Sequence, residues 1–290
     1  MTGSKLRTEA EEELAPSVVF VRLAHVHLHF TNGRWDGAAR GIPPREASRH
    51  ELPSRDHGGP MARSTTRNRG PEVGRPNEGL RRRRHWEGIY RTRREEDLSW
   101  HQDRARLSLR ILEEFVPHEG RILDAAGGSS SLASELARRG FSDVTVVDVS
   151  GRGLARGLRR VRAASPGVRR IRCDLLDRPE LGRFEGWHDR AFFHFLVRAQ
   201  DRRRYVALLR RSVAPGGIAI IATFARDGPT TCSGLPVERY SAARLAREFA
   251  PGFRRVRSLR EMHRTPWGTR QPFTYVVLRR RSRDPPRSRG

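Results

Sequence analysis

Residues 121–140 constrain the fold more than any other stretch of the chain. Their sequence, RILDAAGGSSSLASELARRG, has an apolar run that ends in an acid, then glycines and serines, then leucines at helical spacing. This order is typical of a strand, a tight loop and a helix. Glycine lets a ligand approach the backbone closely, and the amides at the start of a helix can bind polar or anionic groups. The stretch therefore predicts a ligand-binding loop.

The chain after this loop alternates between apolar runs and helical stretches. Four further runs with strand character lie at 144–150, 170–176, 187–193 and 217–224. Such alternation is typical of parallel strands with crossover helices, and so it predicts a doubly wound α/β sheet covered on both faces. The end of the chain differs, because FRRVRSLREMHR and FTYVVLRR are separated only by the turn-rich TPWGTRQP. That pattern predicts a C-terminal antiparallel hairpin.

Three regions are distinguished by composition. Residues 1–84 lack sustained periodicity and contain a segment rich in proline, glycine and arginine that is too polar to bury a core, so we predict a disordered basic extension. Residues 85–281 carry the strand and helix patterns and are predicted to form one folded domain. Residues 282–290 are predicted to be a basic tail.

The formal net charge of +25 raises the question of nucleic-acid binding. Clustered arginines neutralise phosphates and release counterions. Here, however, Lys5 is the only lysine and the arginines are scattered through almost every segment. The charge is therefore assigned to solvated helix faces and two basic ends, and a nucleic-acid substrate is kept as an alternative.

The cysteine content indicates the compartment. Cys173 and Cys232 cannot form a disulfide framework, and neither belongs to a CxxC or Cys/His cluster, so we expect a reducing, cytoplasmic environment and no metal site. The apolar segment at 17–30 is short and interrupted by Arg22 and three histidines, so no membrane anchor is expected.

The composition of the loop discriminates between two kinds of cofactor. A dinucleotide-binding loop has the pattern G-x-G-x-x-G, which this loop matches only at Gly128. The preceding strand ends in Asp124, whose carboxylate suits a cationic amino-acid group better than a pyrophosphate. The loop therefore favours a ligand that carries an amino group.

The segment ILDAAGGSSSLA resembles the D-x-G-x-G-x-G loop of class I S-adenosylmethionine-dependent methyltransferases, and VAPGGIAIIATF resembles their fifth strand. The resemblance covers about residues 85–280. It implies a Rossmann-like, mostly parallel seven-stranded sheet, S-adenosylmethionine as the cofactor, and methyl transfer as the activity. Residues matching the family's cofactor site are Asp124, Ala126, Gly127, Gly128 and Ser129 in the loop, Asp148 and Val149 at the ribose, and Asp174 and Leu175 at the adenine.

The loop departs from the family pattern at two positions. Ala126 stands where the family usually has its first glycine, and Ser130 where it often has the third. Alanine fits there if its φ is negative, and Ser129 or Ser130 could cap the following helix.

Within the superfamily, the segments HWEGIY…LSWHQ and WHDRAFFHFL resemble a bacterial branch. They are more loosely similar to the lysine methyltransferases that act on translation elongation factor 1A. Those enzymes usually have D-K-G-T on strand four, where this chain has Asp189, Arg190, Ala191 and Phe192.

Methyl transfer from a sulfonium needs alignment, a desolvated pocket and in some cases a base. His188, Asp189, Arg190 and His194 cluster on strand four and its following loop, with His188 and Arg190 expected on one face and Asp189 on the other. They are the candidate catalytic residues, and His194 is the first candidate base. The alternative is that these groups only pair with one another at the strand end.

The hairpin turn supplies a candidate substrate-binding group. Arg264, Trp267 and Arg270 could cover a carboxylate or phosphate of the substrate, or they could be solvated turn residues. The predicted acceptor is a small molecule or a protein side chain. Two alternatives stay open: an RNA methyltransferase, and a non-catalytic arginine-rich binding protein on a degenerate methyltransferase scaffold.

Overall fold

The computed structural model describes residues 78–161, 167–177 and 179–282. Most of the predicted extension and all but one residue of the predicted tail lie outside these ranges. The folded domain begins earlier than predicted, because helix α1 (Glu78–Thr92) includes residues 78–84, which the sequence assigned to the extension. Those residues are too polar to predict a buried face. They are held instead by ion pairs, among them Arg82 with Asp174 and Glu78 with Arg198.

One sheet of seven strands forms the centre of the domain. The strands are β1 (Ile122–Ala125), β2 (Val144–Asp148), β3 (Val168–Arg172), β4 (Phe184–Arg190), β5 (Val213–Phe224), β8 (Phe253–Arg264) and β9 (Arg270–Arg280). Their order is β3-β2-β1-β4-β5-β9-β8; the first five run parallel, and β9 is antiparallel to both β5 and β8. The predicted Rossmann-like sheet and C-terminal hairpin are confirmed. A short ribbon of β6 (Thr231–Cys232) and β7 (Leu235–Pro236) follows β5 and was not predicted.

Helices cover both faces of the sheet. They are α2 (Arg106–Phe115), α3 (Leu132–Arg138), α4 (Gly151–Leu158), α5 (Ala199–Ser212) and α6 (Ala242–Glu248). Neighbouring residues of β1 belong to different apolar clusters: Ile122 clusters with Leu112 of α2, whereas Leu123 clusters with Leu208 of α5. This is the alternation that a strand buried on both faces requires. None of the helices in the described ranges is long and apolar enough to cross a membrane.

The topology places a crevice at one edge of the sheet. Strand β1 has β2 on one side and β4 on the other, and all three run parallel. In such sheets the connections leave in opposite directions at this point, so their carboxyl ends border an open crevice. Asp124, Asp148 and Arg190 come from the carboxyl ends of β1, β2 and β4, and helix α1 lies beside α4 at the same edge.

Candidate active site

The loop between β1 and α3 has an unusual backbone. Ala126 has φ +53° and Gly128 has φ +46°, both in the left-handed region. The condition that φ of Ala126 be negative is therefore wrong: alanine holds the conformation for which a glycine is normally used, at a cost of about 1–2 kcal/mol. The N-cap residue of helix α3 is Ser131, whose side chain makes no capping hydrogen bond, rather than Ser129 or Ser130. Ser130 Oγ accepts a hydrogen bond from the amide of Leu132, the first residue of the helix, at 3.0 Å.

Two glycines are needed in this loop because other groups approach their Cα atoms. A Cβ on Gly127 would lie 2.4 Å from Asp124 Oδ2, and one on Gly128 would lie 2.1 Å from the Tyr90 hydroxyl. Neither distance is compatible with a side chain. The loop is therefore closed tightly over the end of β1 and under helix α1.

Asp124 is held at the end of β1 by a chain of hydrogen bonds. Its Oδ1 lies 2.7 Å from His188 Nδ1, and His188 Nε2 lies 2.8 Å from Ser108 Oγ. Asp124 Oδ2 is buried and has no hydrogen-bond partner among the described residues. A buried carboxylate oxygen without a partner is costly, so it suits a ligand that brings a donor or a cation. His188 thus orients Asp124, and both of its ring nitrogens are engaged.

Asp148 lies at the end of β2. Its side chain is buried, and burial is the main cause that raises its pKa from 3.8 to about 7. Its Oδ1 accepts the Ser150 amide at 2.7 Å, and the nearby charge of Asp124 raises the pKa further. The site therefore stabilises this carboxylate poorly in the absence of a donor from outside the protein.

Asp174 follows β3 and meets helix α1. Its Oδ1 accepts the Leu176 amide at 2.9 Å, and its Oδ2 accepts Nε of Arg82 at 2.6 Å. Leu175 lies beside it in the same pocket wall. The third predicted acid is thus at the expected edge, with one oxygen engaged by an arginine that the sequence did not assign to the site.

Two adjoining pockets occupy this edge. The larger pocket, of about 680 Å³, is lined by Asp148, Val149, Asp174 and Leu175 on one side. The smaller pocket, of about 530 Å³, is lined by Asp124, Gly127 and residues 129–131. Trp100, Ala126 and Arg190 line both and mark their junction. The structure therefore brings together every loop and acidic residue assigned to the cofactor except Gly128, whose Cα is covered by Tyr90.

The other side of the larger pocket is aromatic. Its rings are those of Trp86, Tyr90, Trp100, Phe192 and Phe195. The Trp86 ring makes edge contacts with Phe195 at 5.2 Å and with Trp100 at 5.8 Å between centroids. Three of these rings belong to the segments HWEGIY and LSWHQ, whose sequence pattern does not indicate this role. Only the packing of α1 against the sheet edge places them over the pocket.

Arg190 is the buried cation of the site, with a side chain only 7% exposed. Its Nε donates to the Tyr275 hydroxyl at 3.0 Å, its Nη1 to the Trp100 carbonyl at 3.4 Å, and its Nη2 to Glu261 at 3.4 Å. The guanidinium also lies 4.2 Å from the centre of the Phe273 ring. Arg190 thus lies where it was expected, on the same face as His188.

Asp189 points to the opposite face, as strand alternation predicts. It is fully buried and accepts hydrogen bonds from the Tyr205 hydroxyl at 2.6 Å and from the Phe192 amide at 3.0 Å. Burial raises its pKa to about 6. Asp189 lines neither pocket, so its assignment as a catalytic residue does not fit the structure. Its contacts instead fix the loop that carries Phe192.

His194 is not placed as a general base. Its ring is fully buried between Phe195 and Phe224, with centroids 4.5 and 4.7 Å away, and lines neither pocket. Burial lowers its pKa to about 3, and its ring nitrogens have no hydrogen-bond partner in the described part of the chain. The helical turn Phe193–Phe195 directs this side chain into the core, which the sequence pattern did not reveal.

The hairpin-turn residues predicted to cover the substrate also lie outside the two pockets. Trp267 is 57% exposed in the turn between β8 and β9, and Arg264 lines an open groove with His101 and Asp103. Neither of them, nor Arg270, lines either pocket. Arg264, Trp267 and Arg270 therefore fit the alternative interpretation, that they are solvated turn residues, better than a role in binding the substrate.

Residues 122–217, from β1 into β5, match a family model described as a methyltransferase domain. No match was found among curated proteins. One similar solved structure is the 1,6-didemethyltoxoflavin-N1-methyltransferase of Burkholderia thailandensis with bound 1,6-didemethyltoxoflavin and S-adenosylhomocysteine. It is 21% identical, with a TM-score of 0.57, and the match covers 72% of this chain and 92% of that one.

Two further structures have the same fold. An S-adenosylmethionine-dependent methyltransferase of Anabaena variabilis is 17% identical with a TM-score of 0.55, and the match covers 69% of this chain and 95% of that chain. The N-methyltransferase NodS of Bradyrhizobium japonicum, in complex with S-adenosylhomocysteine, is 15% identical with a TM-score of 0.51, and the match covers 68% and 98%. At these identities the likeness concerns the fold alone, and the family model matches residues 122–217 of it.

Proposed function

We propose that this chain, a class I S-adenosylmethionine-dependent methyltransferase, transfers the methyl group to a small, planar, largely apolar molecule. One observation carries the proposal: the wall of aromatic rings that adjoins the loop and acids of the sheet edge. Concave sites lined mainly by apolar and aromatic side chains, with a few polar groups, are typical of small-molecule sites. A flat ring can stack against such walls or meet them edge on.

The residues at the crevice fit the cofactor. The unpartnered Oδ2 of Asp124 is suited to the amino group, Asp148 to the ribose hydroxyls, and Asp174 to the adenine amino group. When bound, S-adenosylmethionine supplies a methyl group made electrophilic by its sulfonium. The chain's own part would be to align the two ligands and to exclude water. The Trp100 ring lies at the junction of the two pockets, and the Trp86 ring lies beside it in the wall of the larger pocket.

The size of the larger pocket limits the acceptor. The residues proposed for adenosine, Asp148 and Asp174, line the same pocket as the aromatic wall. The acceptor has only the part of this pocket that adenosine leaves. The Burkholderia structure, which holds a small molecule together with S-adenosylhomocysteine, supports this interpretation by analogy.

The RNA alternative is less well supported by the pocket. Single-stranded nucleic acid is bound along basic, solvent-facing grooves with stacking platforms. The two arginines that line the larger pocket are each paired with a carboxylate: Arg82 with Asp174 and Arg190 with Glu261. Their side chains are 27% and 7% exposed, so neither presents its charge along a solvent-facing groove of that kind.

Isotope transfer tests the proposal. The protein is incubated with S-adenosylmethionine tritiated in the methyl group and with the RNA, protein and metabolite fractions of a source-cell extract. We expect label in the metabolite fraction, extractable into an organic solvent. Label confined to RNA or to protein would overturn the proposal.

A pair of tryptophan variants links the transfer to the pocket. Trp86→Ala removes a ring of the aromatic wall and is expected to lower transfer at least tenfold while S-adenosylhomocysteine still binds. Trp267→Ala removes an exposed ring outside both pockets and serves as the matched control. Equal losses in the two variants would argue against the aromatic wall as the acceptor site.

A further inference from the structure

We infer that the methyl acceptor is an aromatic hydroxyl that reacts as its phenolate, held beside Arg190. The inference rests on the proposed function and narrows it to one acceptor chemistry. Its starting point is the location of Arg190, the one arginine among the described residues that lines both pockets. If the amino-acid part of the cofactor fills the smaller pocket and adenosine the larger one, the sulfur that joins them lies at this junction.

Arg190 has N–H donors that its hydrogen bonds within the protein do not use. A guanidinium has five N–H donors, and the three hydrogen bonds to Tyr275, Trp100 and Glu261 use three of them. The side chain is almost removed from solvent, so its charge is screened little by water. An oxyanion is the ligand group that meets both the free donors and the charge.

The charge of Arg190 acts on its surroundings. After burial, it is the second cause that lowers the pKa of His194 and of His263. Glu261 on β8 is its counter-charge, and the Tyr275 hydroxyl donates to the same Glu261 oxygen at 2.9 Å. The Cys232 thiol also faces this region, with a pKa that burial raises and Arg190 lowers. At His263 the charge of Glu261 acts in the opposite direction and raises the pKa, so the counter-charge offsets part of the effect of Arg190.

The larger pocket offers no evident base to deprotonate an acceptor. Burial raises the pKa of Tyr90 and of both cysteines, Cys173 and Cys232, so these groups are protonated at neutral pH. The two carboxylates of the wall, Asp148 and Asp174, are assigned to the cofactor. The smaller pocket is lined by His188, both of whose ring nitrogens are hydrogen-bonded, and by His101, whose Nε2 lies 3.2 Å from Asp103. We therefore expect the acceptor to lose its proton to solvent, and a cation at contact distance lowers the pKa of an acid by roughly 1–3 units.

An oxygen acceptor also balances the charges of the step. The phenol proton goes to solvent on binding. The phenolate oxygen then forms a bond to the methyl carbon as the carbon–sulfur bond breaks, and the electron pair of that bond stays on sulfur. One negative and one positive charge disappear, leaving a methyl ether and neutral S-adenosylhomocysteine. An amine acceptor would instead bring N–H donors next to the N–H donors of Arg190. Its nitrogen would also become positively charged on methylation, beside the positive charge of the guanidinium.

The experiment measures the pKa of a bound phenol directly. 4-Nitrophenol is added to the protein saturated with S-adenosylhomocysteine, and its phenolate absorbance is followed as a function of pH. We expect the bound pKa to lie at least one unit below that of the free phenol. Arg190→Lys should retain part of this shift, because it keeps a positive charge at the same position.

Two variants at the Arg190–Glu261 ion pair should change the pKa of bound 4-nitrophenol in opposite directions. Glu261 lines neither pocket, and Glu261→Gln removes the counter-charge of Arg190. This variant should lower the pKa of bound 4-nitrophenol further. The double variant Arg190→Gln/Glu261→Gln keeps the net charge of the pair and should abolish the shift. If the double variant does not fold, Glu261→Gln decides alone, since an unchanged or raised bound pKa contradicts the inference.

Neutral 4-nitroaniline, of nearly the same shape, separates this inference from the proposed function. If both probes bind but the pKa of 4-nitrophenol is the same bound and free, the phenolate inference fails and the aromatic acceptor pocket stands. If neither probe binds while S-adenosylhomocysteine does, both proposals fail.

Discussion

Replacing Ala126 by glycine should stabilise the protein, although glycine usually destabilises. At φ +53° the alanine Cβ crowds the following carbonyl, at a cost of about 1–2 kcal/mol that glycine does not incur. Glycine makes the unfolded chain more flexible, which costs about 0.5–1 kcal/mol. At mid-range values the difference favours Ala126→Gly by about 0.75 kcal/mol, and its limits are roughly 0 and 1.5 kcal/mol. For a domain of this size, such a change raises Tm by roughly 1–4 °C.

The neighbouring residue provides the matched control. Ala125 is the last residue of β1 and is 1% exposed. Ala125→Gly loses a buried methyl, worth about 0.8 kcal/mol, in addition to the flexibility cost, and should destabilise by about 1.5 kcal/mol. The two substitutions are chemically identical and one residue apart, yet their predicted effects have opposite signs.

Urea unfolding with a common slope, combined with calorimetric titration of S-adenosylhomocysteine, measures both quantities. We expect Ala126→Gly to shift the midpoint upward and to leave cofactor affinity unchanged, because the loop already has the shape that glycine prefers. A downward shift comparable to that of Ala125→Gly would show that the backbone at residue 126 is not left-handed in solution, and the strain argument would be refuted.

Three further outcomes are expected. The folded pKa of Asp148 is raised from 3.8 to about 7, so the free energy of unfolding without cofactor should fall as pH rises between these values. The affinity for S-adenosylhomocysteine should increase as pH rises through about 7, because Asp148 then becomes ionised. Asp148→Asn should remove both dependences in pH titrations. Gly127→Ala places a Cβ 2.4 Å from Asp124 Oδ2 and should abolish cofactor binding by calorimetry, whereas normal affinity would contradict the tight loop. Tyr205→Phe removes the 2.6 Å hydrogen bond to buried Asp189 and should lower the free energy of unfolding in urea by about 1–3 kcal/mol without changing the cofactor Kd. A loss of cofactor binding with unchanged stability would show instead that Asp189 belongs to the binding site.

The sequence predicted what depends on spacing along the chain. Asp124, Asp148 and Asp174 were placed at one edge because they end or follow consecutive parallel strands, and those positions do not depend on details of packing. The hairpin of β8 and β9 followed in the same way from the turn between two strand patterns. Alternation along β4 also separated Asp189 from His188 and Arg190.

The sequence did not predict what depends on contacts between distant segments. The direction of His194 is set by a helical turn packed against Phe224, and the sign of φ at Ala126 is set by closure of the loop under Tyr90. Helix α1 was missed in part because its first residues are polar and are held by ion pairs to remote side chains. Such partners are separated by about 90 residues or more, beyond the reach of any local pattern.

Helix α1 connects the two proposed ligand positions. One face of it carries Arg82, whose Nε donates to Asp174 on the proposed adenosine side, and Trp86, which packs on Phe195 on the acceptor side. The two positions therefore share one wall, and a substitution that loosens the packing of α1 is expected to weaken the binding of both ligands together.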